Sequence, residues 1–407
     1  MPVPRVLLLL PTATYRASDF LAAAASLGVE VVIGCERRQA LARDMGDRAL
    51  VVPMGDVDAA VAAIAGLHAR SPLDAVVAVD DQGVVVAAAA AERLGLPGNP
   101  PDAVAATRDK AAMRERLGAG GVPQPGFRVV AVPAPDAAVV AAAADLGFPC
   151  VVKPVGRSGS QGVIRVDDAA GAAAAAARIR AMLGECAEPL LVERFVPGSE
   201  VAAEGLLRKG RLQVLAVFDK PDPLNGPFFE ETLYVTPSRQ PPAVLDRVAA
   251  TAERAARAIG LGEGPVHAEL RIGVDGAATV LELAARSIGG HCARALRFGA
   301  GISLEEVILR HALGLGLDDL SREPRASGVM MLPIRSAGVL EGVSGRERAL
   351  SVEGVAGVEI SIAPGRPVVP LPEGDRYLGF VFARGPTPDL VEASLRQAEA
   401  CLQVHLR

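Results

Sequence analysis

Two glutamates that the local pattern brings face to face give the first chemical signal in this chain. Residues 266–272 read Val-His-Ala-Glu-Leu-Arg-Ile and alternate as a half-buried strand does. Asp275-Gly276 follows, a dipeptide suited to a two-residue type I′ turn, and the chain returns through residues 277–286. With that turn, counting back sets Glu269 opposite Glu282. Facing side chains lie roughly 5 Å apart at Cβ, where like charges repel. Such a pair needs a proton or a divalent cation, unless both acids are simply solvated. A bulge would shift the register by one and spoil the opposition.

A second signal is Val151-Val152-Lys153-Pro154 followed by Gly156-Arg157-Ser158-Gly159-Ser160-Gln161-Gly162, after which residues 163–166 resume a strand. Glycines let backbone N–H groups turn inward around phosphate oxygens, and serine hydroxyls add donors. Rossmann and P-loop glycines open a helix, whereas this loop joins two strands. Lys153 stands just ahead of it, able to reach a phosphate, or else to block aggregation as an edge-strand lysine. Residues 190–200 then read Leu-Leu-Val-Glu-Arg-Phe-Val-Pro-Gly-Ser-Glu. A strand with free backbone groups for a purine edge, then a carboxylate for ribose hydroxyls, would suit a nucleoside; an ordinary strand and turn reads the same way.

The elements that must position these groups fall into three stretches of the 407 residues, a length that allows two or three domains. Strand signals at 5–10, 30–33, 49–52 and 75–79 alternate with Ala-rich helices near 18–27, 57–69 and 83–94, which implies an open parallel α/β sheet. The first strand leads into Pro11-Thr12-Ala13-Thr14-Tyr15-Arg16, not GxGxxG, so a dinucleotide site is disfavoured. Asp80 and Asp81 end the fourth strand, where such sheets bind ligands, although acidic turn residues are common there too. Pro97, Pro100 and Pro101 mark a boundary, and a helix ending near Leu117 is expected to stop at Gly118. A β-rich region runs to a helix at 303–314. Residues 327–407 read as an α+β unit with strands at 329–334, 358–362 and 378–383 and a helix at 388–402.

Composition narrows the partners. The net charge is −5, tryptophan is absent and aromatics make up 3%, so nucleic acid is disfavoured. No apolar run reaches the ~20 residues of a membrane helix. Five scattered cysteines without CxxC spacing fit reduced thiols in a cytoplasmic protein, and the five histidines show no zinc spacing.

Taken in order, Arg108-Asp109-Lys110, Val152-Lys153-Pro154 with its loop, Val192-Glu193-Arg194-Phe195 with Glu200, and Glu269 with Glu282 resemble the ATP-grasp superfamily over residues 1–320. The resemblance implies an α/β domain at 1–105, an ATP-grasp domain at 106–325 with a lid at about 120–195, and an α+β domain at 326–407. It implies that Lys110 and Lys153 contact the phosphates, with Ser158, Gly159, Ser160 and Gly162 covering them. Glu193, Arg194, Phe195 and Val196 would form the adenine hinge and Glu200 would bind the ribose. Glu269 and Glu282 would hold two Mg²⁺ or Mn²⁺ ions. Leu281 through Arg286 with Gly289-Gly290 looks most like the bacterial L-amino acid ligases, which join a carboxylate and an amine through an acyl phosphate. One departure is Ala284, where the superfamily usually has a metal-binding asparagine. By resemblance Arg286, placed on the face of Glu282, would hold the substrate carboxylate and the oxyanion, or else position Glu282. Glu230, Glu231 and His291 are candidates for substrate contacts or the general base. Gly289 and Gly290 would leave room for a substrate larger than alanine or glycine. The C-terminal unit would either complete the acceptor pocket or supply a homodimer contact. The competing readings are a ligase for another carboxylate, a former of carboxy- or carbamoyl-phosphate, and a non-catalytic nucleotide sensor.

Overall fold

A computed structural model describes residues 3–12, 14–38 and 45–407. Four short parallel strands open the chain: β1 (Arg5–Leu9), β2 (Glu30–Cys35), β3 (Ala49–Val51) and β4 (Ala75–Ala78), in the order β3-β2-β1-β4. Helices α1 (Ala17–Leu27), α2 (Val57–Arg70) and α3 (Val84–Leu94) follow β1, β3 and β4. The apolar run of β1 is buried on both faces, as the centre of a parallel sheet demands. Ala13 of the segment after β1 lies outside the described residues.

Next come α4 (Pro101–Ala106) and α5 (Lys110–Ala119). Asp109 caps α5 by accepting from the Ala111 and Ala112 N–H groups, which fixes Lys110 at its first turn. The helix runs through Gly118 and ends at Gly120, two residues past the expected stop. A small sheet of β5 (Phe127–Val130), β6 (Cys150–Pro154), β7 (Ile164–Val166) and β8 (Leu190–Arg194) follows, in the order β5-β8-β6-β7, covered by α6 (Asp136–Leu146) and α7 (Ala169–Leu183).

The largest sheet begins with β9 (Ser199–Arg208), β10 (Arg211–Lys220) and β11 (Leu233–Thr236) and, after α8 (Pro242–Ile259), takes in β12 (Gly264–Ile272) and β13 (Ala278–Ala284). Helix α9 (Leu304–Ala312) leads to the last stretch: β14 (Ala326–Leu332), β15 (Gly338–Ser344), α10 (Arg346–Leu350), β16 (Val355–Ile360), β17 (Pro367–Val368), β18 (Gly379–Gly385), α11 (Pro388–Cys401) and β19 (Gln403–Leu406). This stretch does not form a separate sheet of its own. Strands β14, β18 and β16 extend the central one, giving eight strands in the order β13-β12-β9-β10-β11-β14-β18-β16. A cavity of about 1340 Å³ lies where the N-terminal sheet, the small sheet of β5–β8, the central sheet and the last stretch meet.

Candidate functional site

The hairpin does oppose Glu269 and Glu282, by a route the sequence did not show. The turn is a three-residue loop, Val274-Asp275-Gly276, closed by the Gly273 N–H donating to Ala277 O at 2.9 Å. That shifts Ile272 onto Ala278, one residue off the two-residue-turn register. A bulge between Glu269 and Leu270 on the β12 side, opposite Leu281, then restores the pairing. The two offsets cancel. Both acids line the cavity, and each already faces a cation. Glu269 meets the Lys220 ammonium at 2.7 Å and the His267 Nε2 at 3.5 Å, while Glu282 meets Lys110 at 3.4 Å.

Lys153 projects from β6, which lies between β8 and β7, so it is not an edge-strand lysine. Its ammonium meets Glu193 at 2.7 Å, and Arg114 Nε donates to the same carboxylate at 2.6 Å. Burial pushes the Glu193 carboxyl up, but these two cations outweigh it and hold it at about 2. Burial, with repulsion from Arg114 and Lys110, holds Lys153 below the usual lysine range despite Glu193. The Glu193 side chain thus anchors Lys153. Arg194, Phe195 and Val196 line the cavity beside it. Ser158, Gly159 and Ser160 form the cavity rim, and Lys110 reaches under the loop to donate to Arg157 O at 2.5 Å. Gly162 is not among the lining residues; its N–H donates to Pro372 O at 2.9 Å and so ties the loop to the last stretch.

Glu200 lines the cavity, and both of its carboxylate oxygens are already engaged. It is buried, Oε1 meets Lys220 at 2.7 Å and Oε2 accepts from Arg271 at 2.9 Å. Both cations face it across neighbouring strands, since β9 pairs with β10 and with β12. The carboxylate oxygens of Glu200, Glu231 and Glu269 lie within 4.8 Å of one another around Lys220. Burial lowers the Lys220 pKa, but the three carboxylates outweigh it and raise the ammonium well above the ordinary range. Burial and repulsion from Glu269 push Glu231 up. His267 is pulled down by burial and raised, on balance to about 9, by hydrogen bonds that its ring donates to Glu204 and Glu269.

Arg286 lies past the end of β13, which stops at Ala284, so the strand-face reason for its placement does not hold. It lines the cavity all the same, held by the N-terminal sheet instead of by Glu282. Its Nε and Nη2 donate to the two oxygens of Asp81 at 2.8 and 3.0 Å, and Arg108 meets the same carboxylate at 3.1 Å. A planar fork on a carboxylate fixes the guanidinium more firmly than a single bond would.

Other expectations need correction. His291 does not line the cavity: at φ 53° it turns its ring into the interior, within 3.5 Å of Asp19 and 3.6 Å of Glu359, which Arg294 bridges. Glu230 also lies outside the main cavity, whereas Glu231 lines it. Gly290 leaves no empty space, because a Cβ there would come within 2.5 Å of the Met331 sulfur; at Gly289 it would meet only the Tyr15 hydroxyl, at 3.8 Å. Asp81, expected either at a ligand site or as a common acidic turn residue, holds Arg286 and lines the cavity, whereas Lys220, Arg114 and His267 were given no role. Only Lys220 had a local signal, a charge ending an apolar strand as Lys153 does.

For a divalent cation the donor set fits. Two carboxylates face each other in register on one cavity wall, and hard oxygen donors of this kind suit Mg²⁺. Ala284 adds no donor.

Comparison with known proteins agrees with this geometry. Residues 146–295 match the ATP-grasp domain, residues 21–98 the ATP-grasp N-terminal domain and residues 330–407 the L-amino acid ligase C-terminal domain 2. A D-alanine–D-alanine ligase of Cupriavidus taiwanensis is 30% identical over 244 residues, covering 56% of this chain and 70% of that protein. The alanine–anticapsin ligase of Bacillus subtilis is 24% identical over 278 residues, or 63% of this chain and 57% of the relative. Against the first curated relatives it matches, the chain spans between 50% and 62% of their length. The crystal structure of an L-amino acid ligase from Bacillus licheniformis superposes with a TM-score of 0.80 at 24% identity, covering 99% of both chains. No helix among the described residues is long and apolar enough to cross a membrane. With its facing acids, strand-to-strand glycine loop and three matching segments, the chain belongs to the ATP-grasp superfamily.

Proposed function

We propose that the protein is an ATP-dependent carboxylate–amine ligase that joins amino acids through an acyl phosphate. The observation that carries this reading is that Glu269 and Glu282 share one cavity with Lys110, Lys153 and the glycine loop, each acid meeting a lysine. Lys153, poised by Glu193, and Lys110, capped into place by Asp109, would bind phosphate oxygens beneath residues 156–162. Glu269 and Glu282 would hold two magnesium ions, which when bound neutralise charge on the phosphates. A substrate carboxylate attacks the γ-phosphorus and ADP leaves. Arg286, aimed by Asp81, would orient that carboxylate and then stabilise the oxyanion formed when the amine attacks and phosphate departs. The division at residues 105 and 325 belongs to this proposal, with the last stretch walling the substrate end.

The test is an ADP-release assay over pairs of amino acids with mass detection of products. ADP should form only when a suitable pair is present, together with a product weighing the sum of the two less one water. Ala284 favours one second reading, a nucleotide sensor that binds without turnover. Glu282→Gln separates the two. Loss of a metal ligand should cut turnover by ~100-fold or more, and wild-type rates from this variant would overturn the assignment.

A further inference from the structure

The chain has three tyrosines and no tryptophan, and all three tyrosines line the cavity. They arrive from distant segments: Tyr15 after β1, Tyr234 within β11 and Tyr377 just ahead of β18. Phe380 lies 5.7 Å from Tyr15 and 6.1 Å from Tyr377 between ring centroids, and Met331 and Ile362 continue this apolar wall. The Tyr15 oxygen accepts from the Gly290 N–H at 2.7 Å, which leaves its own proton to donate.

One carboxylate in this chamber lacks a cation of its own. Glu200 pairs with Arg271 at 2.9 Å, Glu204 with His267 at 3.2 Å and Glu269 with Lys220 at 2.7 Å. Glu231 is a fourth acid and only shares the Lys220 ammonium. Four carboxylates, two of them buried and two largely withdrawn from water, against three cations leave one negative charge over, at a residue that lines the cavity with the tyrosines. Magnesium does not remove the imbalance, because the triphosphate it accompanies brings at least comparable negative charge. A buried charge without its own counter-ion is costly, and an ammonium that satisfies it also gains from aromatic faces.

We infer that this chamber is the subsite for an unmodified amino acid with a large apolar side chain. Its ammonium meets Glu231 among the tyrosines, and its side chain lies against Phe380, Met331 and Ile362. The inference rests on the ligase reading, since it makes this amino acid one of the two substrates.

The absence of tryptophan makes tyrosine fluorescence a direct report on the chamber. Leucine titrated in the presence of Mg²⁺ and a non-hydrolysable ATP analogue should give a saturable change. Alanine, which lacks the side chain, and 4-methylpentanoate, which lacks the ammonium, should each bind about 10-fold more weakly or worse. Glu231→Gln should shrink the preference for leucine over 4-methylpentanoate towards unity, whereas a merely structural fault would weaken both alike. Equal binding of all three by the wild-type protein, or an unchanged preference in Glu231→Gln, overturns the inference; the wild-type comparison stands even if that variant fails to fold. Leucine binding without ADP release from any pair would defeat the ligase reading and leave the chamber intact. ADP release from other pairs with no leucine binding would do the reverse.

Discussion

Lys153 and Lys220 are both buried lysines on strands of apolar neighbours, yet their surroundings carry opposite signs. Around Lys153 two cations, itself and Arg114, share the single carboxylate of Glu193. Around Lys220 one ammonium faces three carboxylates. Burial lowers the pKa of both ammonium groups; at Lys153 it prevails over the one carboxylate, whereas at Lys220 three carboxylates overturn it. One end of the cavity is therefore prepared for anions such as phosphate, and the other for cations. A single cavity can hold both kinds of group because each lysine is fixed by its own strand pairing.

The sharpest way to break this comparison is to remove each lysine in turn. Lys220→Met removes the ammonium that three clustered carboxylates share, leaves Glu231 without its cation, and should cost about 3–5 kcal/mol in denaturant unfolding. Lys153→Met leaves Glu193 paired with Arg114 and should cost only about 1–2 kcal/mol, with the main loss in ATP affinity. Equal losses of stability from the two variants would dismiss the contrast in sign.

Acid sharpens it next. The Glu193 carboxyl sits at about 2 in the folded protein against an ordinary value of 4.5. A depressed folded pKa stabilises the protein above 4.5, and that stability is lost as pH falls towards 2. The difference corresponds to about 3 kcal/mol. Urea unfolding followed down this range should show the decline, and Glu193→Gln should flatten it. A slope untouched by that substitution would mean that other carboxylates carry the acid response.

The smallest effect concerns the seam between the small sheet with its helices and the last stretch. Arg178 on α7 pairs with the Glu373 carboxylate at 2.6 and 3.0 Å, half-exposed, while Gln161 of the glycine loop donates to Glu373 O at 3.0 Å. Arg178→Ala should lower stability by less than about 1 kcal/mol, and high salt should erase the difference. A larger loss in thermal unfolding would show that the small sheet depends on this contact.

Much of the architecture was legible because it depends on local patterns. The parallel strands at the N-terminus and the helices between them fall within about two residues of their expected ends, since an apolar run bounded by turn residues reads the same in sequence and in structure. The facing of Glu269 and Glu282 was also legible, although the turn beneath it was misread and a bulge corrected the count. What stayed hidden depends on long-range register. Nothing local to Lys220 shows that β10 will set it beside Glu200, or that β12 will bring Arg271 to the other side of the same acid. His291 misled for the opposite reason. It follows the Gly289-Gly290 pair closely in sequence, but its left-handed backbone turns the ring towards Asp19 on α1.

The hydrogen bonding between β11 and β14 has a consequence for anyone recombining this protein with its relatives. All four residues of β11 are buried, and one whole edge of that strand is satisfied only by residues 327–330. Cutting the chain ahead of Ala326 would bare that edge and leave a sticky template for aggregation. A chimera that swaps the tail must therefore transplant the seam as well, with crossover points chosen upstream of Leu233 rather than in the loop ahead of Ala326.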